Sequence, residues 1–176
     1  TAALARMVDG SYVFVRSFPL PGAFDRATAV GNDLVFLLNT AASRGVVAQL
    51  GKDGAFTIRH DISGFSPAFT HVVGTPNGGL FLYHAPTGAA ATAQVSAAGS
   101  YQYVESPAGL TTGWTHVVAA GDELLFYRKS DGLLACGHMS GGRFVFTRNL
   151  HGHYPGWTHL VGAADGSVMF YGADSG

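Results

Sequence analysis

Three histidines in this chain each follow an aromatic residue and a threonine: Phe69-Thr70-His71, Trp114-Thr115-His116 and Trp157-Thr158-His159. Imidazoles that converge from related segments can hold a metal ion or act as a general base. On a strand, however, side chains alternate between faces, so each His shares the face of the aromatic two residues before it. That direction favours a hydrogen-bonded His tying two packed segments together. Trp114, Trp157 and Phe69 themselves suit two roles, stacking on the apolar face of a sugar ring or packing between elements. A second recurring group is Tyr83, Tyr127 and Tyr171, followed by His84, Arg128 and Gly172. A phenol hydroxyl beside Arg128 or His84 at a strand end could hold sugar hydroxyls. His151-Gly152-His153 with His159 has the outline of a zinc ligand set, but the pair sits between Gly and Pro residues, where the backbone geometry is open. Cys136 near His138 has the parts of a nucleophile and base, but a small residue in a glycine-rich strand explains it better.

The elements that must position these groups come from a repeat. Thr70, Thr115 and Thr158 are 45 and 43 residues apart. Each motif is followed by an apolar block, Leu80-Phe81-Leu82-Tyr83, Leu124-Leu125-Phe126-Tyr127 or Val168-Met169-Phe170-Tyr171, at spacings of 44. A fourth copy is read as Ala27-Thr28-Ala29-Val30-Gly31 with Leu34-Val35-Phe36-Leu37. On this reading Arg26-Ala27-Thr28 replaces aromatic-Thr-His, and Leu37 replaces Tyr. Further segments (Ala48 to Leu50, Ala93 to Val95, Ala135 to Met139) lead into Gly turns. Alternating segments follow, beginning at Tyr12, Phe56, Tyr101 and Phe144 with spacings of 44, 45 and 43. Each is short, rich in β-branched and aromatic residues, and bounded by turn formers such as Asp9-Gly10, Asn77-Gly78, Asp131-Gly132 and Asp165-Gly166. No window carries a helical period.

Four short strands per 44 or so residues is the pattern of a propeller blade. The expected fold is all-β, a small β-propeller of four four-stranded repeats forming one domain over residues 1–176. The repeats run approximately over residues 27–68, 69–112, 113–156, and 157–176 together with 1–26. The N-terminal segments have the phase of third and fourth strands, and the C-terminal ones that of first and second. The ring is therefore expected to close by sharing one blade between the termini, within one chain or, as an eight-bladed ring, between two.

Composition narrows the function. Charged residues are only 12% of the chain, glycine numbers 25, aromatic residues reach 12%, and the formal net charge is −1. Scattered basic residues give no stripe for a phosphate backbone, so no nucleic-acid partner is expected. No polybasic segment or ~20-residue apolar run points to a membrane. Nothing at the N-terminus reads as a signal peptide, so a soluble protein of the cytoplasm, or one secreted without a visible signal, is expected. One cysteine excludes an intrachain disulfide. Hydrolase elbows, phosphate loops and zinc-protease motifs are absent.

The blocks Trp114-Thr-His-Val-Val…Leu124-Leu-Phe-Tyr-Arg…Asp131-Gly and Trp157-Thr-His-Leu-Val…Val168-Met-Phe-Tyr…Gly176 resemble the repeats of tachylectin-type and related bacterial β-propeller lectins. The resemblance implies shallow sugar pockets on or between blades, often one per repeat. It departs from that family in blade number, since those lectins usually have five to seven.

The expected function is carbohydrate binding at several unequal sites. Trp114, Trp157, His71, His116, His159, Tyr83, Tyr127, Tyr171 and Arg128 are the candidate ligand-binding residues. No catalytic residue, metal or cofactor is assigned, and the partner would be a glycan or other small molecule bound by a monomer or homodimer. The alternatives are a small enzyme (a lyase, cyclase or metal-dependent hydrolase) built on the channel histidines, or a protein-interaction scaffold.

Overall fold

The structure is a computed structural model that describes residues 1–65 and 69–173; Gly176 of the last repeat lies outside the described residues. Every regular element among them is a β-strand apart from isolated turns. An N-terminal hairpin pairs β1 (Ala2–Val8) with β2 (Ser11–Phe18). Three antiparallel four-stranded blades follow, each a simple meander. The first joins β3 (Arg26–Val30), β4 (Leu34–Asn39), β5 (Arg44–Leu50) and β6 (Phe56–Ser63). The second joins β7 (His71–Gly74), β8 (Gly79–His84), β9 (Ala89–Val95) and β10 (Tyr101–Glu105). The third joins β11 (His116–Ala120), β12 (Glu123–Arg128), β13 (Leu133–Ser140) and β14 (Arg143–Leu150). A last hairpin pairs β15 (His159–Gly162) with β16 (Val168–Tyr171).

The first strands β3, β7, β11 and β15 lie successively side by side, so the blades stack as an arc around one axis. Their approach is close. A Cβ on Gly74 would run into the Ala29 carbonyl of the preceding blade, and one on Gly162 into that of Ala119. The second strands of the three full blades are largely covered by their neighbours, which is why they read as apolar runs; Leu80, Phe81, Leu82 and Tyr83 are all fully buried. Burying side chains of this size is worth about 1.5–3 kcal/mol each. The core therefore consists of layers between blades. Phe36 and Leu38 meet Leu80 and Leu82 in one layer. Phe81 and Tyr83 meet Trp114, Leu124 and Phe126 in the next. A thinner layer of Tyr127, Leu134 and Leu160 faces the last hairpin. Fourth strands are mostly exposed.

Turn chemistry agrees with the Asp-Gly and Asn-Gly pairs, in two ways. Asp9 and Gly10 both take positive φ, 49° and 76°, as a two-residue hairpin turn between twisted strands requires. At Asp131-Gly132 only the glycine does (φ 70°), and the Asp131 carboxylate accepts the Leu133 N–H instead.

Two expectations need correction. First, the termini do not share a blade: among the described residues β1 and β2 pair only with each other, as do β15 and β16. The arc stays open within the chain. Second, the first repeat is offset from the sequence reading. The Asp25 N–H donates to the Leu38 carbonyl, just as the N–H groups of Thr70, Thr115 and Thr158 donate to those of Tyr83, Tyr127 and Tyr171. Phe24-Asp25-Arg26, and not Arg26-Ala27-Thr28, is thus the counterpart of aromatic-Thr-His, and Leu38, not Leu37, stands where the others have Tyr. The offset escaped sequence reading because Asp25 and Arg26 keep the hydrogen-bonding roles while changing the residue types.

Candidate functional site

The aromatic-Thr-His motif is a lock between blades. Thr70 Oγ lies 2.8 Å from His71 Nδ1 and accepts the Ala85 N–H at 3.0 Å. His71 Nε2 lies 3.1 Å from the Thr115 carbonyl of the next blade, and His116 Nε2 lies 2.9 Å from that of Thr158. A carbonyl only accepts, so Nε2 carries the proton, while Nδ1 faces a Thr hydroxyl that also reaches the Tyr83 carbonyl at 3.1 Å in the second blade and the Tyr127 carbonyl at 3.0 Å in the third. Burial, the largest cause, holds the His71 pKa below its ordinary value, with the His116 charge acting in the same direction. Nε2 of both His71 and His116 is therefore committed to the adjacent blade. In the first blade the Asp25 carboxylate accepts the Thr40 N–H at 2.8 Å and the Thr40 hydroxyl at 2.6 Å, which lowers its pKa. Arg26 Nε donates to the Thr70 carbonyl at 3.3 Å. At the other end of the arc His159 keeps its Thr158 contact at 2.8 Å but is exposed. No group of three or more His, Cys, Asp or Glu among the described residues is arranged to hold a metal ion.

The other nominated residues are placed as follows. Tyr83 and Tyr127 are fully buried. Their hydroxyls donate to the carbonyls of Thr111 (2.7 Å) and Tyr154 (3.1 Å), and the Tyr127 oxygen accepts the Trp157 N–H at 3.0 Å. The phenols bind the next blade's approach loop, not solvent, and the sugar role expected for them is corrected accordingly. Tyr171, with no blade packed beyond it among the described residues, is 49% exposed. Trp114 is buried against Phe126, and the Arg128 guanidinium lies 5.8 Å above its ring. Arg128 is itself held by Asp131 at 2.6 and 2.9 Å, which pushes the Asp131 pKa down to about 2. Trp157 is half-buried, its ring 5.5 Å from Tyr154 and 6.1 Å from Phe170.

The arrangement open to a ligand lies beside this motif, at the outer end of each interblade layer. A cavity of about 290 Å³ is lined by the loop Ala108 to Thr111, Trp114, Phe126, Ala135, Phe144, Phe146 and Asn149. The preceding blade has a counterpart of about 330 Å³, with Phe65, Phe69, Ala91, Tyr101 and Tyr103 on its walls. Position by position, Phe69, Ala91, Tyr101 and Tyr103 correspond to Trp114, Ala135, Phe144 and Phe146. In the first blade a more open depression has Pro19 to Pro21 as its loop and Phe56 and Ile58 as its wall. The outer wall residue stays accessible every time: Ile58 is 40% exposed, Tyr103 54% and Phe146 53%. The inner one does not. Tyr101 packs on Phe36, Phe65 and His60, and burial drives its pKa up to about 12.

In the sequence these fourth-strand residues stand out as alternating strands, with no site assigned to them. The signal was there: an aromatic-x-aromatic pair puts two rings on one face. What was missing was which loop faced them.

No protein-family model matches the sequence, and no curated protein matches it. Solved structures do. A protein from Lactobacillus plantarum matches at TM-score 0.59 and 16% identity, over 96% of this chain and 57% of that one. A candidate 6-phosphogluconolactonase from Bacteroides uniformis matches at TM-score 0.59 and 10% identity, over 96% and 50%. The periplasmic gluconolactonase of Pseudomonas aeruginosa matches at TM-score 0.52 and 13% identity, over 90% and 45%. The chain spans about half the length of these neighbours. At such identities the likeness is one of fold, and with the stacked four-stranded meanders it makes this chain an all-β, propeller-like arc.

Proposed function

We propose that this arc binds a small sugar-derived ring in the pockets between its blades, one pocket per repeat. The observation that carries the reading is the recurrence of an exposed wall residue at Ile58, Tyr103 and Phe146, which in the second and third blades stands in a pocket with the buried Phe69 or Trp114. An apolar wall with a few polar groups suits a ring that has C–H faces and hydroxyl edges. In the third-blade pocket those polar groups are Thr111, Asn149 and the backbone of the 108–111 loop. The resemblance to lectin repeats supports the same ligand class.

A second reading, turnover of a sugar lactone, draws more support from the fold neighbours than the lectin reading does, since two of those named carry gluconolactonase names. The channel-histidine version of an enzyme has lost its geometry, because His71 and His116 are engaged by the adjacent blade. Neither of the two defined pockets has a carboxylate or an imidazole among its described lining residues.

One pair of measurements separates the readings. Labelled protein is applied to a glycan array, and proton release is followed with the δ-lactone of a hexonic acid. Array binding that is lost in Tyr103→Ala and Phe146→Ala, without lactone hydrolysis, supports binding alone. Saturable hydrolysis above the spontaneous rate establishes the enzymatic reading. No glycan binding and no hydrolysis would overturn both.

A further inference from the structure

The two terminal hairpins are complementary halves of one blade. In β15–β16, Tyr171 stands opposite His159, as Tyr127 stands opposite His116 and Tyr83 opposite His71. These are first and second strands without a third. In β1–β2 a bulge follows Leu4, as one follows Val47 in β5 and Cys136 in β13. Met7 opposite Tyr12 then reproduces Met139 opposite Phe144. These are third and fourth strands without a second. Each hairpin also leaves large apolar side chains bare: Val161 56%, Met169 61% and Tyr171 49% at one end, Met7 70% and Tyr12 69% at the other. An open strand edge with such a surface is a template for another chain.

We infer that a second copy of this chain completes both ends: β1 of each copy adds to β16 of the other, and two such contacts close one two-fold ring. Register follows from the complete blades. Tyr127 opposes Leu134 and Leu125 opposes Cys136; by the shared bulge, Tyr171 opposes Ala2 and Met169 opposes Leu4 across the new contact. The chain's own β1 is not the partner: among the described residues it pairs only with β2, and β16 only with β15.

The pairing also answers what each end lacks. His159 Nε2 would meet the Asp25 carbonyl of the second copy, repeating the interblade lock. Trp157 and Phe170 of one copy, with Ala3, Tyr12 and Phe14 of the other, would form the pocket that Trp114, Phe126, Ala135, Phe144 and Phe146 form within the third blade. Phe14, 55% exposed, matches Phe146 at 53%. That pocket is incomplete in a single copy. The pairing itself is independent of which ligand the pockets take.

The test is the mass of the protein in solution, read by native mass spectrometry and light scattering at micromolar concentration. The expected result is twice the 18.3 kDa of one chain. Met169→Lys is expected to raise the dimer dissociation constant at least 100-fold while leaving a folded monomer. Independently of that variant's folding, Leu4→Cys and Met169→Cys are made separately on a Cys136→Ser background and mixed under mild oxidation. A disulfide joining the two different chains is expected. A monomer at all concentrations, an open-ended ladder of polymers, or no disulfide between the two mixed variants would each overturn the proposal.

Discussion

Tyr127 and Tyr171 occupy the same place in consecutive repeats, yet one is fully buried and the other is half bare. The same contrast separates His116, bonded to the carbonyl of Thr158, from His159 at the end of the arc. Local sequence is nearly the same in both repeats; what differs is whether a blade lies beyond. A blade supplies only half of each core layer. Its second strand becomes core only when a neighbour's motif aromatic and approach loop close over it.

The largest expected effect tests that contrast at the tryptophans. Trp114→Ala empties a buried site and should cost about 3–5 kcal/mol in denaturant unfolding. Trp157→Ala, at a half-buried position, should cost distinctly less. Equal losses would show that the end of the arc is covered in solution, as a second copy would cover it. Next come the phenols. Tyr127→Phe strands the Tyr154 carbonyl and the Trp157 N–H, for about 1–3 kcal/mol, whereas Tyr171→Phe should be close to neutral in the open arc. Urea titrations of the two variants side by side decide this.

A smaller effect concerns pH. The folded-state pKa of His71 lies below its unfolded value near 6.5. Below that value the unfolded chain takes up a proton before the folded one does, so the stability from this neutral, buried ring is whole above about pH 6.5 and is lost as pH falls. A His71→Gln variant should be less stable at neutral pH and show a flatter decline between pH 6.5 and 5. An unchanged slope would mean that His71 is not the group responsible. Tyr101 acts at the other extreme: with its pKa at about 12, its contribution should fade as pH rises from about 10 toward 12. The smallest effect belongs to Arg128 and Asp131, an exposed pair with side-chain exposures of 27% and 47%. Asp131→Asn should barely move the neutral-pH unfolding midpoint and should trim only the acid limb between about pH 4 and 2.

Much of the architecture was legible because strands and turns are local. Period-2 segments, Asp-Gly pairs and a 43-to-45-residue spacing each follow from nearby residues, and together they announced stacked four-stranded meanders. Even the half-blade phase of the two termini could be read from that spacing. Three things could not. The frame of the first repeat depended on hydrogen bonds that Asp25 and Arg26 make in place of Thr and His, and those partners lie in other segments. Assigning Tyr83 and Tyr127 to the core, and Phe146 and Tyr103 to a pocket wall, depended on which loop the next blade lays across them. The open arc depended on whether distant strands meet. Strand identity was thus determined by the sequence itself, through backbone preference and alternation. Burial, bonding and the site were decided only by the tertiary structure, because each is shared between two blades and belongs to neither alone.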